Sequence, residues 1–264
     1  MIRIALCGIA GRMGQTLRRL VDEAEDLSLS GGIDRDPIDG PAARALGCER
    51  IVSAAGAPGV FAESDVIIDF STPAALRALL EHAAGSLDGR ALIVGTTGLD
   101  EHDDALLTRA AERAAVVAAA NFSIGVNLLL GLVEQAARVL TEDRYDVEIV
   151  EAHHRRKVDA PSGTALALAG AVARARAAEL AELRRDGRSG ETGTRPAGEI
   201  GLHAVRGGGV VGEHRVLFLG EAERIELVHA ASDRQLFAEG ALLAGRWAHG
   251  RAAGRYGMAD VLGF

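Results

Sequence analysis

Apolar, strand-like runs alternate with amphipathic helical patterns through the first half of this 264-residue chain. Residues 2–7 form a short apolar run that ends at a glycine, which is typical of a buried central strand. The apolar residues of the next segment recur on one face of a predicted helix, and they are Met13, Leu17, Leu20, Val21 and Ala24. Further strands are predicted at residues 27–33, 66–70, 91–94 and 116–119, and a helix opens near Pro73. This alternation predicts an α/β domain with a Rossmann-like, doubly wound parallel sheet.

The pattern changes after residue 123, where strands and helices no longer alternate regularly. Helices are predicted at residues 127–140 and 164–180, and a strand lies between them at 146–152. A polar stretch at 184–196 predicts a mobile loop, and three strands follow it, at 200–206, 210–219 and 224–228. These elements predict an α+β domain with an open mixed or antiparallel sheet, whose exposed face we expect another subunit to cover. A last helix, at 234–245, is expected to return to the first domain.

Composition narrows the class of protein and its compartment. Hydrophobic residues are 48% of the chain and charged residues 25%, as in ordinary globular proteins. The net charge of −8 argues against non-specific binding of nucleic acid, which needs a basic face. Two cysteines, Cys7 and Cys48, are too few for a disulfide framework and fit a reducing compartment. Because no signal-peptide pattern opens the chain and no apolar run approaches the ~20 residues of a membrane span, we expect a cytoplasmic protein without membrane contact.

A glycine-rich turn follows the first predicted strand and opens the first predicted helix. Glycines at 8, 11 and 14 are spaced for a tight turn that lets the backbone approach a pyrophosphate at the helix N-terminus. Ala10 stands where the usual fingerprint has its middle glycine, so the motif by itself equally fits a simple strand-to-helix turn. The next strand ends in Asp34, about twenty positions after Gly14, where an acid can accept hydrogen bonds from the ribose of NAD. Arg35 could instead meet the extra phosphate of NADP, or the two residues could form a solvated turn.

Two later loops are predicted at the same rim of the sheet. Residues 95–98 follow the strand at 91–94, and residues 119–122 follow the strand at 116–119. In doubly wound sheets ligands bind outside the carboxyl ends of the strands, so both loops are expected near the glycine-rich turn. Their small and hydroxyl-bearing residues suit close approach to a ribose and a nicotinamide, although each loop alone could be a polar turn.

A strongly basic stretch stands out in an otherwise acidic chain. Two histidines, two arginines and a lysine occupy positions 153–157, and a helix start is predicted at Ser162, Gly163 and Thr164. Cations followed by a helix N-terminus predict a site for small anions, and histidine, with an unperturbed pKa of ~6.5, can carry protons. If the preceding strand runs through His154, then His153 and His154 point to opposite faces and have different roles. A solvated charged face, a nucleic-acid patch and a metal site are the alternatives, but adjacent histidines are poorly spaced as metal ligands, so no metal is predicted.

Several motifs in the same order resemble those of one enzyme family. Residues 151–165, EAHHRRKVDAPSGTA, are similar to the signature of the dihydrodipicolinate reductases, bacterial and plant enzymes of the diaminopimelate route to lysine. Residues 11–14, 95–98 and 119–123 resemble the cofactor motifs of the same family, so the resemblance runs along the whole chain. Arg156 stands where some relatives carry histidine, and Ala10 lies in a loop that varies in the family.

The resemblance implies a two-domain, homotetrameric reductase that uses NADH and/or NADPH. A dinucleotide-binding domain would span residues 1–123 and be completed by 234–264, with a substrate-binding and oligomerisation domain at 124–233. The implied substrate is a cyclic dicarboxylate, 4-hydroxy-tetrahydrodipicolinate, which is reduced with loss of water to tetrahydrodipicolinate. Closure about a hinge would exclude water during the transfer.

The resemblance also implies a role for individual residues. His153 and Lys157 would be the catalytic pair, and either of them could deliver the proton. The implied substrate-binding residues are His154, Ser162, Gly163 and Thr164. The implied cofactor-binding residues are Gly8, Ile9, Ala10, Gly11, Arg12, Met13, Asp34, Arg35, Gly95, Thr96, Thr97, Ala119, Ala120, Asn121 and Phe122.

Three other functions compete with this one. Another Rossmann-type reductase of an amino or keto dicarboxylate, such as a homoserine or aspartate dehydrogenase, would share the nucleotide motifs. A non-catalytic dinucleotide sensor would use the basic stretch to bind a protein partner. A nucleic-acid-binding protein would show a steep salt dependence of binding, which we do not expect of this chain.

Overall fold

The structure is a computed structural model that describes all 264 residues, Met1–Phe264. The chain forms two compact units. Unit 1 consists of Met1–Ser123 and Gln235–Phe264, and unit 2 consists of Ile124–Arg234. The assignment of nucleotide binding to the first unit and of substrate and subunit contacts to the second stays a prediction.

The elements up to Ser123 are short strands and helices in near-regular alternation. They are β1 (Ile2–Cys7), α1 (Arg12–Glu23), β2 (Leu27–Ile33), β3 (Ile38–Asp39), α2 (Gly40–Ala45), β4 (Arg50–Val52), α3 (Ala57–Ala62), β5 (Val66–Asp69), α4 (Pro73–Ala83), β6 (Ala91–Val94), α5 (Glu101–Ala111) and β7 (Ala115–Ala118). Unit 2 contains α6 (Ile124–Val139), β8 (Asp146–His153), α7 (Gly163–Ala175), α8 (Leu180–Leu183), β9 (Arg184–Asp186), β10 (Ile200–Arg206), β11 (Gly212–Leu219) and β12 (Arg224–Ala231). The chain ends with α9 (Gln235–Ala248), β13 (Gly254–Tyr256) and α10 (Met258–Leu262).

Unit 1 is built on an eight-stranded sheet in the order β13-β7-β6-β5-β1-β2-β4-β3. All neighbouring strands are parallel except β3, which runs antiparallel to β4 at the edge. The strand order reverses between β1 and β5, which makes their carboxyl ends the topological switch point of the sheet. The predicted Rossmann-like α/β fold is confirmed.

Helices cover both faces of this sheet. Alternate residues of the central strands point to opposite sides, so each strand contributes to two cores. One hydrophobic core contains Leu6 and Ile68 together with buried residues of α1 and α9. The other contains Ala5 and Ile67 together with buried residues of α3, α4 and α5. Central strands that are buried on both faces read as short continuous apolar runs, and such runs located them in the sequence.

Unit 2 contains a five-stranded mixed sheet in the order β12-β11-β8-β10-β9. β8, β10 and β9 are parallel, whereas β11 runs antiparallel to both β8 and β12. One face packs against α6 and α7 around Val147, Ile149 and Val216. Along β8 the burial alternates from residue to residue, so the opposite face of the sheet is at least partly exposed. The predicted open mixed sheet is confirmed.

Several element bounds differ from those that the sequence predicts. The helix predicted at 164–180 ends at Ala175, because Ala177 adopts a left-handed backbone conformation (φ 52°) without the glycine that usually marks a helix end. The segment predicted as a loop at 184–196 begins with the short strand β9. No helix is long and apolar enough to cross a bilayer.

Candidate active site

The loop after β1 has a geometry that requires glycine. Gly8 has φ 75°, and a Cβ at this position would come within 2.7 Å of the carbonyl oxygen of Phe70, which follows β5. A Cβ on Gly14 would overlap the carbonyl oxygen of Gly8. The Gly11 N–H donates to that same oxygen at 3.0 Å, which closes the turn directly before α1. The close approach of backbone to backbone therefore explains the glycine at 8 and at 14.

The helix that follows this loop presents free N–H groups. Gly11 is the N-cap residue of α1, and no side chain caps the helix. The side chain of Arg12 is exposed beside this end, whereas Met13 packs against the core. Uncapped N–H groups and the positive end of the helix dipole suit the pyrophosphate of a dinucleotide.

Asp34 braces the glycine-rich loop from the end of β2. Its Oδ2 accepts a hydrogen bond from the Ala10 N–H at 2.9 Å, and its Oδ1 accepts one from the Arg35 N–H at 2.8 Å. Carboxylate oxygens have further lone pairs, so a ribose hydroxyl could still donate to Asp34. The exposed side chain of Arg35 contacts Asp36 at 3.0 Å and lies where it could meet a phosphate.

A buried carboxylate connects the loops after β5 and β6. Asp69 is completely buried, and its two oxygens accept hydrogen bonds from the hydroxyls of Ser71 (2.5 Å) and Thr96 (2.6 Å). The Thr96 hydroxyl in turn accepts from the Ser71 N–H at 3.0 Å. Burial raises the pKa of Asp69 to about 6, although the two hydroxyl hydrogen bonds act to lower it. Gly95 is required in the second loop because a Cβ would overlap the ring of Phe70.

The structure separates the predicted cofactor residues into two groups. Ile9, Thr96 and Phe122 are buried, so their side chains are not available to a ligand. Phe122 packs against Phe70 with ring centroids 5.7 Å apart, and the Asn121 side chain accepts from the Ser123 N–H at 2.8 Å. Thr97 and Ala120 are exposed and Ala119 is half-buried.

A cleft of about 570 Å³ opens at the switch point within unit 1. Gly8, Gly11, Asp34, Arg35 and Asp69 are among the residues that line it. A glycine cradle, an uncapped helix start and an acidic residue at the end of the second strand fit a nicotinamide dinucleotide.

In unit 2 the basic stretch begins at the end of a strand. β8 ends at His153, so His154 is the first residue after the strand. Glu151 and His153 point to the same face of β8, and Glu151 Oε2 lies 2.6 Å from His153 Nδ1. The ring of His153 packs edge-on against that of His214 at 5.3 Å between centroids.

Lys157 is held in the loop after His154. Its Nζ donates to both carboxylate oxygens of Asp159 at 2.8 Å. This pairing holds the pKa of Asp159 below its ordinary value. Arg206, at the end of β10, donates to the carbonyl oxygen of Asp159 at 2.7 Å and also to both oxygens of Glu151. Arg206 thereby connects the segments that carry His153 and Lys157.

His154 lies among other cations. The guanidinium of Arg234 is 3.4 Å from its Nε2. Desolvation, followed by the positive charges of Arg156 and Arg234, lowers the pKa of His154. His154 is therefore neutral near pH ~7 and can serve as a hydrogen-bond partner rather than as a fixed cation.

Ser162 begins the helix that was predicted here, but its side chain is turned inward. It is the N-cap of α7, its Oγ accepts from the Ala165 N–H at 3.2 Å, and it lies 3.1 Å from Nε2 of the buried His214. Burial, and then the nearby His153, lower the pKa of His214 to about 4. Gly163 is exposed and Thr164 half-buried at the first turn of the helix.

Four residues of these networks were not predicted as site residues. Asp69 could have been found from the sequence, since a carboxylate at the end of an apolar, buried strand needs hydrogen-bond partners. Glu151 lies inside the basic motif, two residues before His153 on the same strand, so the alternation of side chains along the predicted strand was a usable signal for this pair. Arg206 and His214 come from β10 and β11, so no local pattern connects them with residue 153.

A Rossmann-type sheet with a glycine cradle at its switch point, in one chain with a histidine and lysine network, defines a nicotinamide-nucleotide-dependent oxidoreductase. Two family models match the chain: the dihydrodipicolinate reductase N-terminus at residues 2–122 and the C-terminus of the same family at residues 125–262. The chain belongs to the dihydrodipicolinate reductase family.

Individual relatives agree with this assignment. The chain is 47% identical to the 4-hydroxy-tetrahydrodipicolinate reductase of Parvibaculum lavamentivorans, over 99% of this chain and 98% of the relative. It is also 47% identical to the enzyme of that name from Thiobacillus denitrificans, with the same coverage. A dipicolinate-bound dihydrodipicolinate reductase from Paenisporosarcina sp. TG-14 has a similar structure, with a TM-score of 0.74, 26% identity and 98% of each chain covered.

Proposed function

We propose that the protein catalyses the NAD(P)H-dependent reduction of 4-hydroxy-tetrahydrodipicolinate to tetrahydrodipicolinate in the diaminopimelate pathway of lysine biosynthesis. The reaction takes up one hydride and one proton and releases one water, so it needs a nucleotide site and a proton carrier beside a dicarboxylate. Relatives that carry the name of this activity align along essentially the whole chain, and one solved relative holds dipicolinate.

One observation carries the proposal at the level of geometry. The end of β8 and the start of α7 are joined by the hydrogen bond from the Ser162 N–H to Glu151 at 3.0 Å. A proton-carrying histidine and a helix N-terminus thus come together in one unit, with Lys157 on the segment that connects them. A dicarboxylate needs such cations and N–H donors, whereas a neutral substrate does not.

The nucleotide, when bound, supplies the hydride. Gly8 to Met13 would hold its pyrophosphate, Asp34 and Arg35 its adenosine ribose, and the segments 95–97 and 119–122 its nicotinamide half. Asp34 suits the free hydroxyls of NADH and Arg35 suits the phosphate of NADPH. Michaelis constants measured for both nucleotides will rank them.

In this proposal the residues of unit 2 bind the dicarboxylate and move the proton. His153 and Lys157 are the two candidates for proton delivery. His154, Gly163 and Thr164 would contact the carboxylates, and Ser162 would contribute mainly by capping α7, because its hydroxyl is buried. Asp159 would keep Lys157 in place while the site is empty.

Replacing Lys157 by Ala tests the catalytic role. We expect kcat/KM to fall by roughly 10²- to 10⁴-fold, because a proton carrier or a substrate-binding cation is lost. The assay supplies the product of the preceding synthase reaction and follows NAD(P)H absorbance. Nucleotide affinity, measured by calorimetry, is expected to stay unchanged, because the nucleotide motifs lie in unit 1.

The matched control is Arg155→Ala, which removes an exposed cation from the same loop and is expected to leave turnover nearly unchanged. If Lys157→Ala turned over substrate at the wild-type rate, the assigned role would be wrong. If the wild-type protein bound nucleotide but oxidised none with this substrate, a dinucleotide sensor or a dehydrogenase of another amino or keto dicarboxylate would be favoured instead.

We propose further that the protein is a cytoplasmic homotetramer. Both cysteines are unpaired and buried, in keeping with a reducing compartment. The sheet of unit 2 exposes apolar side chains on the face that α6 and α7 do not cover, among them Val205 and Val228. Second copies of the same chain are the proposed cover for this face.

A further inference from the structure

Glu151 is the most completely enclosed charged group of unit 2. Its side chain is buried, and four hydrogen bonds reach its two oxygens. Arg206 donates to both oxygens at 2.7 Å, the Ser162 N–H donates to Oε1 at 3.0 Å, and His153 Nδ1 lies 2.6 Å from Oε2. Burying a charged carboxylate is costly because it loses its hydration. Hydrogen bonds and an opposite charge, as here, are needed to offset that cost.

These contacts decide the protonation state of the pair. Burial raises the pKa of Glu151, but the hydrogen bonds from Arg206, His153 and Ser162 outweigh it, so the pKa lies below its ordinary value. An ionised carboxylate can only accept hydrogen bonds. At 2.6 Å the Nδ1 of His153 must therefore carry the hydrogen, which leaves Nε2 without one in the neutral ring.

The Nε2 edge of the His153 ring has no hydrogen-bond partner in the protein, although the side chain as a whole is only 13% exposed. The nearest neighbour position of Nε2 on β11 is Gly212. A Cβ on Gly212 would come within 3.1 Å of Nε2, so glycine leaves space beside this nitrogen. His214 packs edge-on against the ring and restrains its orientation.

We propose that Glu151 is a positioning residue for the reduction: it fixes His153 as the Nδ1–H tautomer and makes Nε2 the atom that holds or releases the proton. The inference rests on the proposed function and deepens it. Arg206 keeps Glu151 ionised, and the Ser162 N–H ties this carboxylate to the start of α7. When His153 is protonated, Nε2–H is the donor directed away from Glu151, and the negative charge of Glu151 stabilises that cation.

The charges around His153 come from four segments. Glu151 lies on its own strand, Arg206 on β10 and His214 on β11, and His154 and Lys157 follow in the loop. Glu151 is the negative group in contact with the ring, and the other carboxylate nearby, Asp159, is paired with Lys157.

Two readouts on Glu151→Gln test the proposal. The first is nitrogen-15 NMR of the imidazoles, in which the His153 signals are assigned by their loss in His153→Gln. We expect the Nδ1–H tautomer in the wild type and a substantial Nε2–H population in Glu151→Gln. Steady-state kinetics are expected to show a fall in kcat of about 100-fold with KM within about threefold, because positioning and not binding is lost.

Glu148→Gln is the matched control, because it removes a carboxylate of the same strand that is also enclosed by a histidine and two arginines. We expect it to keep kcat within about twofold of the wild type. If Glu151→Gln fails to fold because Arg206 is left unpaired, the double variant Glu151→Gln/Arg206→Gln removes both charges together and replaces it in both measurements.

The outcomes separate the two proposals. An Nε2–H tautomer in the wild type, or a variant that lacks the Glu151 carboxylate and retains kcat within about threefold, would overturn the positioning role. If the wild-type protein did not reduce the proposed substrate at all, the proposed function would fail, whereas the tautomer measurement would still decide whether Glu151 orients His153.

Discussion

At the scale of single residues, Gly212 controls the space beside His153 Nε2. A Cβ at this position would lie 3.1 Å from Nε2, and the site is buried at the start of β11, so the histidine ring would have to move. Gly212→Ala is therefore expected to lower kcat/KM about tenfold or more, because displacements of an ångström or less at a reacting group are costly. Steady-state kinetics with the synthase-coupled substrate measure this change.

Gly209→Ala provides the comparison. Gly209 precedes the same strand, has no positive φ, and has open space where a Cβ would stand, so its activity is expected to remain near that of the wild type. Equal activity of the two alanine variants would contradict the idea that Nε2 needs the space next to Gly212.

The basic motif predicted a family and a kind of chemistry, but not the contacts among its residues. Composition and order indicated a proton-carrying site for anions around His153 and Lys157, and the family assignment is confirmed. The local sequence could not show that Lys157 is paired with Asp159, or that Ser162 faces His214. The contact of Ser162 with His214 depends on the placement of segments 52 residues apart. Lys157 and Asp159 lie two positions apart, in a loop whose conformation the local pattern does not specify. The individual roles of the site residues stay predictions.

At the scale of secondary structure, the central strands were predictable because burial on both faces leaves a continuous apolar run, and several helices because burial on one face leaves a clear period. The region between Asp34 and Val66 was not resolved into β3, α2, β4 and α3, because these elements are short and rich in alanine and glycine. Helix α5 was also missed. Its capping box of Asp100 and Asp103 was a usable signal in the sequence.

The end of β5 gives a prediction about pH. The folded protein keeps a proton on Asp69 up to about pH 6, whereas an unfolded chain releases it near pH ~4. Within this window the folded state binds more protons, so raising the pH lowers the free energy of unfolding, by about 3 kcal/mol in total. Asp69→Asn lacks this titration. Its free energy of unfolding relative to the wild type is expected to rise by that amount between about pH 4 and about pH 7, as measured by urea unfolding.

Asp103→Asn controls for the removal of a buried carboxylate from the same unit. The hydrogen bond from Arg77 lowers the pKa of Asp103, so this group stays ionised in the folded and the unfolded state across most of the window. Its difference from the wild type should therefore change little with pH above about pH 5. A pH-independent difference for Asp69→Asn as well would show that Asp69 is ionised throughout.

At the scale of the whole molecule, the sheet of unit 2 has one face without a covering layer. Val147 and Ile149 are completely buried under α6 and α7. Val150 points to the opposite face of the sheet. Its cross-strand neighbour is Arg215, whose own neighbour on β12 is Val228, so all three side chains lie on this free face. Val228 is 54% exposed in the single chain. A mixed sheet with apolar side chains on its free face is a common basis for subunit contacts, but one sequence contains no information about the partner surface.

Val228→Asp tests whether copies of the chain cover this face. A carboxylate without a partner in an apolar contact is costly, so we expect the dissociation constant of the oligomer to rise by about 100-fold or more. Sedimentation velocity should then show a tetramer for the wild type and smaller species for the variant. Val139→Asp, at the exposed end of α6, introduces the same charge away from the sheet and should remain tetrameric. A monomeric wild-type protein would contradict the proposed tetramer. A Val228→Asp variant that assembles like the wild type would place the subunit contacts elsewhere. In either case the exposed valines would be ordinary surface residues.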